Sequence, residues 1–197
     1  MHLNPDAAGL QPTLPPVLPS TRSGTLGRAA LLTFALGGLL ACSPALNWRE
    51  VRPEDSQVQL LFPCKPVAQA RQVTLAGQLV RLSLLACNAG GQTWALAHAD
   101  LGDPRHIGAA LTELMTSAAA NLGTVPGAAQ PLRVAGATPH AGSLRLRFAG
   151  TLPDGTAVTE EVAVFTYGTR VYQVTALGAA LPQEAAQTFI ASLRAGS

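Results

Sequence analysis

Downstream of residue 56 the spacing of apolar positions changes period several times, and each change marks an element. Gln57 to Phe62 reads as a strand and stops at Pro63 and Pro66. Arg71 to Ala76 and Leu79 to Ala86 follow, separated by Gly77-Gln78, a two-residue hairpin signal. In the second of these, Val80, Leu82, Leu84 and Ala86 alternate with Arg81 and Ser83, which predicts one buried face. Thr93 to Ala99 is a further strand after the Gly90-Gly91 turn. At Asp103-Pro104 the period moves from two to about 3.6, because Ile107, Leu111, Leu114, Met115 and Ala118 recur at helical spacing. Asp103 suits an N-cap, Pro104 a first helical position, and Gly123 a stop. After a Gly, Pro and Ala-rich connection, Leu144 to Ala149 reads as a strand with Arg145 and Arg147 facing outward. Pro153-Asp154-Gly155 is a turn, and Val158 to Thr166 and Thr169 to Leu177 form a hairpin across Tyr167-Gly168. A closing helix starts near Pro182 and carries Ala185, Phe189, Ile190 and Leu193 on its apolar side.

Strands joined by hairpins are antiparallel neighbours, so the order strands, helix, strands, helix predicts an α+β fold. The expected architecture is an antiparallel β-sheet flanked by two helices, an α/β sandwich, formed by one domain over residues 57–197. Residues 42–56 read as a tether, with Pro44 and Pro53 opposing regular structure and Trp48 able either to dock on the domain or to sit at a membrane interface. Residues 1–41 read as a cleaved signal peptide. A Pro, Ser, Thr and Gly-rich leader gives way after Arg28 to a twelve-residue apolar stretch, Ala29 to Leu40, with Thr33 its one polar residue. That length suits the apolar region of a secretory signal, while a spanning helix needs about 20 residues.

The next residues, Leu39-Leu40-Ala41-Cys42, resemble the lipobox of bacterial lipoproteins: an apolar residue three places before the cut, small residues near it, then Cys. The resemblance implies cleavage before Cys42, diacylglycerol on its sulfur, and a membrane partner held through two or three acyl chains. Ser43, in place of Asp, implies passage to the outer membrane facing the periplasm. The mature part also resembles PsbP-like and DcrB-like domains. The features in common are a strand ending in Phe62-Pro63, a meander, a helix after a strand ending near Asp100, the strand Gly168-Thr169-Arg170-Val171-Tyr172-Gln173, and a closing helix with Phe189 and Ser192. This implies an accessory, non-catalytic role and supplies no catalytic or cofactor-binding residue.

Charge narrows the partners. Of 13 basic residues Arg22 and Arg28 precede Cys42, and of 11 acidic ones Asp6 does, leaving 11 against 10 and a net charge near +1. The arginines are scattered, so nucleic acid is not an expected partner. Cys64 and Cys87 form the simplest disulfide pair for an exported domain. In a plain meander, however, they would stand on strands one and three, roughly 9–10 Å apart, beyond the roughly 7 Å between Cα atoms that a bridge tolerates. Two separately buried thiols or a reactive pair are the alternatives, and neither cysteine has the CxxC spacing of a metal site.

His98, Asp100, Asp103 and His106 gather metal-ligand residue types, yet each has a plainer role as a strand end, cap or first-turn residue, so no metal is expected. HExxH, GxSxG, Walker and GxGxxG motifs are absent, and no enzyme is expected. Glu160-Glu161 reads as a solvent-facing strand edge. Trp94, Phe165, Tyr167 and Tyr172 are candidates to line a pocket but are needed for core. The expected function is a lipid-anchored envelope module that binds or supports an envelope protein; the rivals are a carrier of a small apolar ligand in a sheet–helix cleft and an enzyme with an unrecognised site.

Overall fold

The computed structural model describes residues 45–196, so the expected signal peptide and Cys42 lie outside the described residues. The strands in chain order are Arg49–Val51 (β1), Val58–Phe62 (β2), Val67–Leu75 (β3), Gln78–Ala89 (β4) and Gln92–Asp100 (β5). One turn of 3-10 helix, Pro104–His106, leads into Ile107–Asn121 (α1). Gln130–Pro131 (β6), Leu144–Thr151 (β7), Ala157–Tyr167 (β8) and Arg170–Gly178 (β9) precede Gln183–Ala191 (α2) and Arg194–Ala195 (β10). Seven strands form one sheet in the order β3-β4-β5-β9-β8-β7-β6, antiparallel throughout, and β1-β2-β10 form a second, small sheet. The fold is therefore α+β, as the periodicities predict.

Turn chemistry sets the register. Gly90 and Gly91 occupy φ of 63° and 77° between the paired residues Ala89 and Gln92, the left-handed geometry that a two-residue hairpin requires. At the two other hairpins the expected turn is displaced by one residue. Leu75 pairs with Gln78, so Ala76-Gly77 is the turn; Tyr167 pairs with Arg170, so Gly168-Thr169 is. In each the glycine is correctly located in the turn, but which neighbour shares it is decided by cross-strand pairing and not by local composition.

Both faces of the large sheet are covered. On one, Val80, Ala99, Val162, Val164 and Val171 receive Ala110, Leu111, Leu114 and Met115 of α1. On the other, Trp94, Leu96, Phe165, Tyr172 and Val174 receive Ala186, Phe189 and Ile190 of α2 together with Val58, Leu60 and Phe62 of β2. The second core is aromatic: Phe189 stands edge-on to Trp94 at 5.3 Å and to Phe62 at 5.1 Å, and Phe165 stacks on Tyr172 at 4.6 Å. Each large side chain so buried stabilises by about 1.5–3 kcal/mol.

Two expectations about the amino-terminal part are corrected. The tether is not irregular over its described residues, 45–56, since β1 pairs Arg49 with Phe62 and Val51 with Leu60; Trp48 takes one of its two expected places, docked edge-on at 5.8 Å from Trp94. The strand that precedes Cys64 is not the first of the meander. β2 leaves the large sheet and lies over its α2 face, so Cys64 sits above Cys87 and not two strands from it. The two form a disulfide with Cα atoms 6.0 Å apart.

Candidate functional site

Three of the four candidate metal ligands, His98, Asp100 and Asp103, serve the local structure, while His106 stands half-buried at the start of α1 without a side-chain capping bond. His98 is buried on the α2 face, its ring 6.1 Å from that of Tyr172. Burial and the nearby Arg170 guanidinium hold it below its ordinary pKa, so it is the neutral imidazole that is favoured there. Asp100 accepts hydrogen bonds from Thr169 Oγ1 at 2.6 Å and Gly102 N at 2.9 Å and pairs with Arg170 at 3.1 Å; the Thr169 bond is the main cause that keeps its carboxyl below the usual range. Asp103 caps Arg105 N at 2.9 Å and pairs with the Arg105 guanidinium at 2.6 Å, which holds its carboxyl low. It caps the 3-10 turn while α1 begins four residues later, at Ile107. Among the described residues no three His, Cys, Asp or Glu side chains are placed to share a metal ion.

Glu160 and Glu161 contradict the expectation of a solvent-facing edge. β8 is covered on both sides, so adjacent residues are both buried, with 5% and 1% exposure respectively. Glu161 faces the α2 side and is met by Arg145 at 2.5 Å and Arg147 at 3.1 Å, while Arg147 also donates to Leu181 O at 2.6 Å. The two arginines are thus ion-pair partners of a buried carboxylate, not free outward charges. Glu160 faces the α1 side, and burial raises its pKa from 4.5 to about 7, with a Thr175 hydrogen bond opposing.

Tyr172, a pocket candidate, is a strut instead. Its hydroxyl donates to Ser56 O, and Ser56 is fully buried between Asp55 and Gln57, whose φ values of 56° and 55° lie in the left-handed region. Two strained neighbours are held there because the buried serine also donates to Pro53 O at 2.7 Å. Trp94 likewise belongs to the core, its indole donating to Ala89 O at 3.2 Å.

Tyr167 is half-buried against the α2-side core, and Phe165, itself fully buried, is the pocket candidate that lies beneath a surface hollow. The connection between β6 and β7 folds into a loop over residues 131–143 whose two arms enclose a hollow of about 740 Å³, open to solvent, with Phe165 as its floor. Its walls include Leu132, Val134, Ala137 and Ser143, and Arg133 and His140 stand at its edge. The loop is pinned. Leu132 N donates to Ser143 O at 2.8 Å, Ala195 N to Ala135 O at 2.8 Å, Thr138 N to Thr166 O at 3.0 Å, and Gly168 N to Thr138 Oγ1 at 3.0 Å. At Gly136, φ is 79° and an added Cβ would lie 2.1 Å from Ala195 O, so only glycine allows the loop to dock on β10. Ser143 is buried and its hydroxyl has no hydrogen-bond partner among the described residues. Sequence periodicity passes over this segment because it has none; the available signal is its length, since long irregular loops in small domains are often functional.

No family model matches the sequence, and no curated protein does. A crystal structure from Bacteroides thetaiotaomicron VPI-5482 is similar over 76% of this chain, with 13% identity and a TM-score of 0.29. The chain spans 42% of the length of that protein.

Proposed function

We propose that the chain is a lipid-anchored cell-envelope protein with a non-catalytic binding role, cleaved before Cys42 and held on the periplasmic side of the outer membrane. The observation that carries this reading is the disulfide. Three cysteines occur in the sequence, and Cys64 and Cys87 are joined to each other, which suits an oxidising compartment and makes Cys42 the one cysteine outside the disulfide. His98, Asp100, Asp103, Glu160 and Glu161 are engaged in caps, ion pairs and core contacts, an arrangement that suits a scaffold more than a reaction. The test is Cys42→Ser in the native host. Loss of acyl labelling together with release from membranes supports the reading, and unchanged membrane retention contradicts it.

The hollow at residues 131–143 favours the carrier reading over a purely structural accessory. Its volume lies within the roughly 300–1,000 Å³ of small-molecule sites. It lies between a loop and the sheet, away from the sheet–helix cleft that a carrier was expected to use.

A further inference from the structure

We propose that the hollow of the 131–143 loop binds a small amphipathic anion, a monocarboxylate bearing an apolar chain. The inference rests on the binding role above and names its ligand class; it does not depend on the anchor.

Three observations converge. The floor and inner walls are apolar, formed by Phe165, Leu132 and Val134, and the backbone that carries the walls is pinned by hydrogen bonds. The edge is cationic. From Leu114 to Pro153 the sequence contains no Asp or Glu, no carboxylate lines the hollow, and Arg133 is exposed and makes no ion pair among the described residues, whereas Arg145 and Arg147 are committed to Glu161. His140 Nδ1 accepts from Gly142 N at 2.9 Å, which places the neutral ring's proton on Nε2 as a second donor at the edge. Finally, Ser143 in the wall keeps a buried hydroxyl without a partner among the described residues, a group whose desolvation a polar ligand atom would offset.

These features divide the work of recognition. An exposed guanidinium selects the sign of charge more than it adds affinity. The apolar chain supplies the affinity, at about fourfold per buried methylene. A cationic or neutral amphiphile of equal length lacks the first component, and a short polar anion lacks the second.

The experiment is photolabelling of the full chain with octanoate carrying a diazirine, with the labelled residues located by peptide mass spectrometry. Label concentrated on Leu132 to Ser143 and on Phe165 is expected. Decanoate should compete about 16-fold more strongly than octanoate, and octylammonium should not compete. Arg133→Glu, at an exposed position, should weaken competition by octanoate at least fivefold, and Ala137→Trp should abolish labelling by filling the hollow. Label scattered over the chain, labelling indifferent to Ala137→Trp, or equal competition by octylammonium would overturn the proposal. Labelling reports on the loop whether or not Cys42 carries lipid, while failure of the anchor reading appears as release of the chain from membranes.

Discussion

Glu160 and His98 are buried ionisable residues on opposite faces of the sheet, and they push stability in opposite directions with pH. The folded chain holds a proton on Glu160 up to about 7, whereas the unfolded chain releases it near 4.5. The native state therefore binds more protons in that window, and its stability falls as pH rises from 4.5 to 7, by up to about 3 kcal/mol. His98 is held below its ordinary 6.5, so its contribution is lost as pH falls below that value, opposite in sign to the effect of Glu160. Glu160→Gln should remove the first effect alone. Urea denaturation should show the variant gaining on the parent as pH rises toward 7, and a constant difference from pH 4.5 to 8 would refute the assignment. A second prediction concerns Ala76, which holds φ of 49° in the turn before Gly77 while its N–H donates to Glu113 at 2.8 Å. Asn tolerates that conformation better, so Ala76→Asn should stabilise by about 0.5–1 kcal/mol, read as a raised urea midpoint at unchanged slope. Neither residue was legible as special in the sequence. Glu160-Glu161 resembles any charged strand edge until the partner strands and both helices are placed, and Ala76 becomes a turn residue only when Leu75 is known to pair with Gln78.

β6 was read as part of a connection, and in β4 burial falls on Val80 from one face and on Leu85 and Cys87 from the other, whereas β5, β9 and both helices were legible because each buries a periodic stripe: Trp94 and Leu96 in β5, and Ile107, Leu111 and Leu114 in α1. β1 was not. Its three residues, Arg-Glu-Val, carry no alternation long enough to read, and it exists because β2 offers an edge and Trp48 docks beside it. The same displaced β2 explains the disulfide, since a strand that crosses over the sheet brings Cys64 down onto Cys87. The bridge spans 23 residues and restrains the layer formed by β2 over α2 and the sheet. Replacing both cysteines with Ala should cost about 3 kcal/mol. Amide exchange should show protection lost first in β2, and equal loss across β8 and β9 would contradict a role confined to this layer. At the other side, Gly150 in β7 lies against the end of α1, where an added Cβ would stand 2.5 Å from Leu122 Cβ and 2.7 Å from its carbonyl oxygen. Gly150→Val should therefore destabilise by about 1–3 kcal/mol through displacement of that helix end, measured by thermal unfolding.

For the molecule as a whole, a closed two-sided core and a pinned surface loop suit a rigid presenter of one small binding feature. A membrane anchor would hold that feature close to amphiphiles, the ligand class to which its apolar floor and cationic edge correspond. The lipobox resemblance, Leu39 to Cys42 at the end of an apolar stretch of signal length, is legible in the sequence, but the hollow is not, because the loop's Pro and Gly residues have no period and its floor, Phe165, lies 22 residues beyond Ser143. The central claim is the processing at Cys42, and the intact mass of the chain extracted from native membranes tests it most directly. The account predicts a chain that starts at Cys42 and is heavier than its amino acids by a diacylglycerol and an acyl group. A chain that retains the residues before Cys42, or one that starts there without added mass, would contradict it.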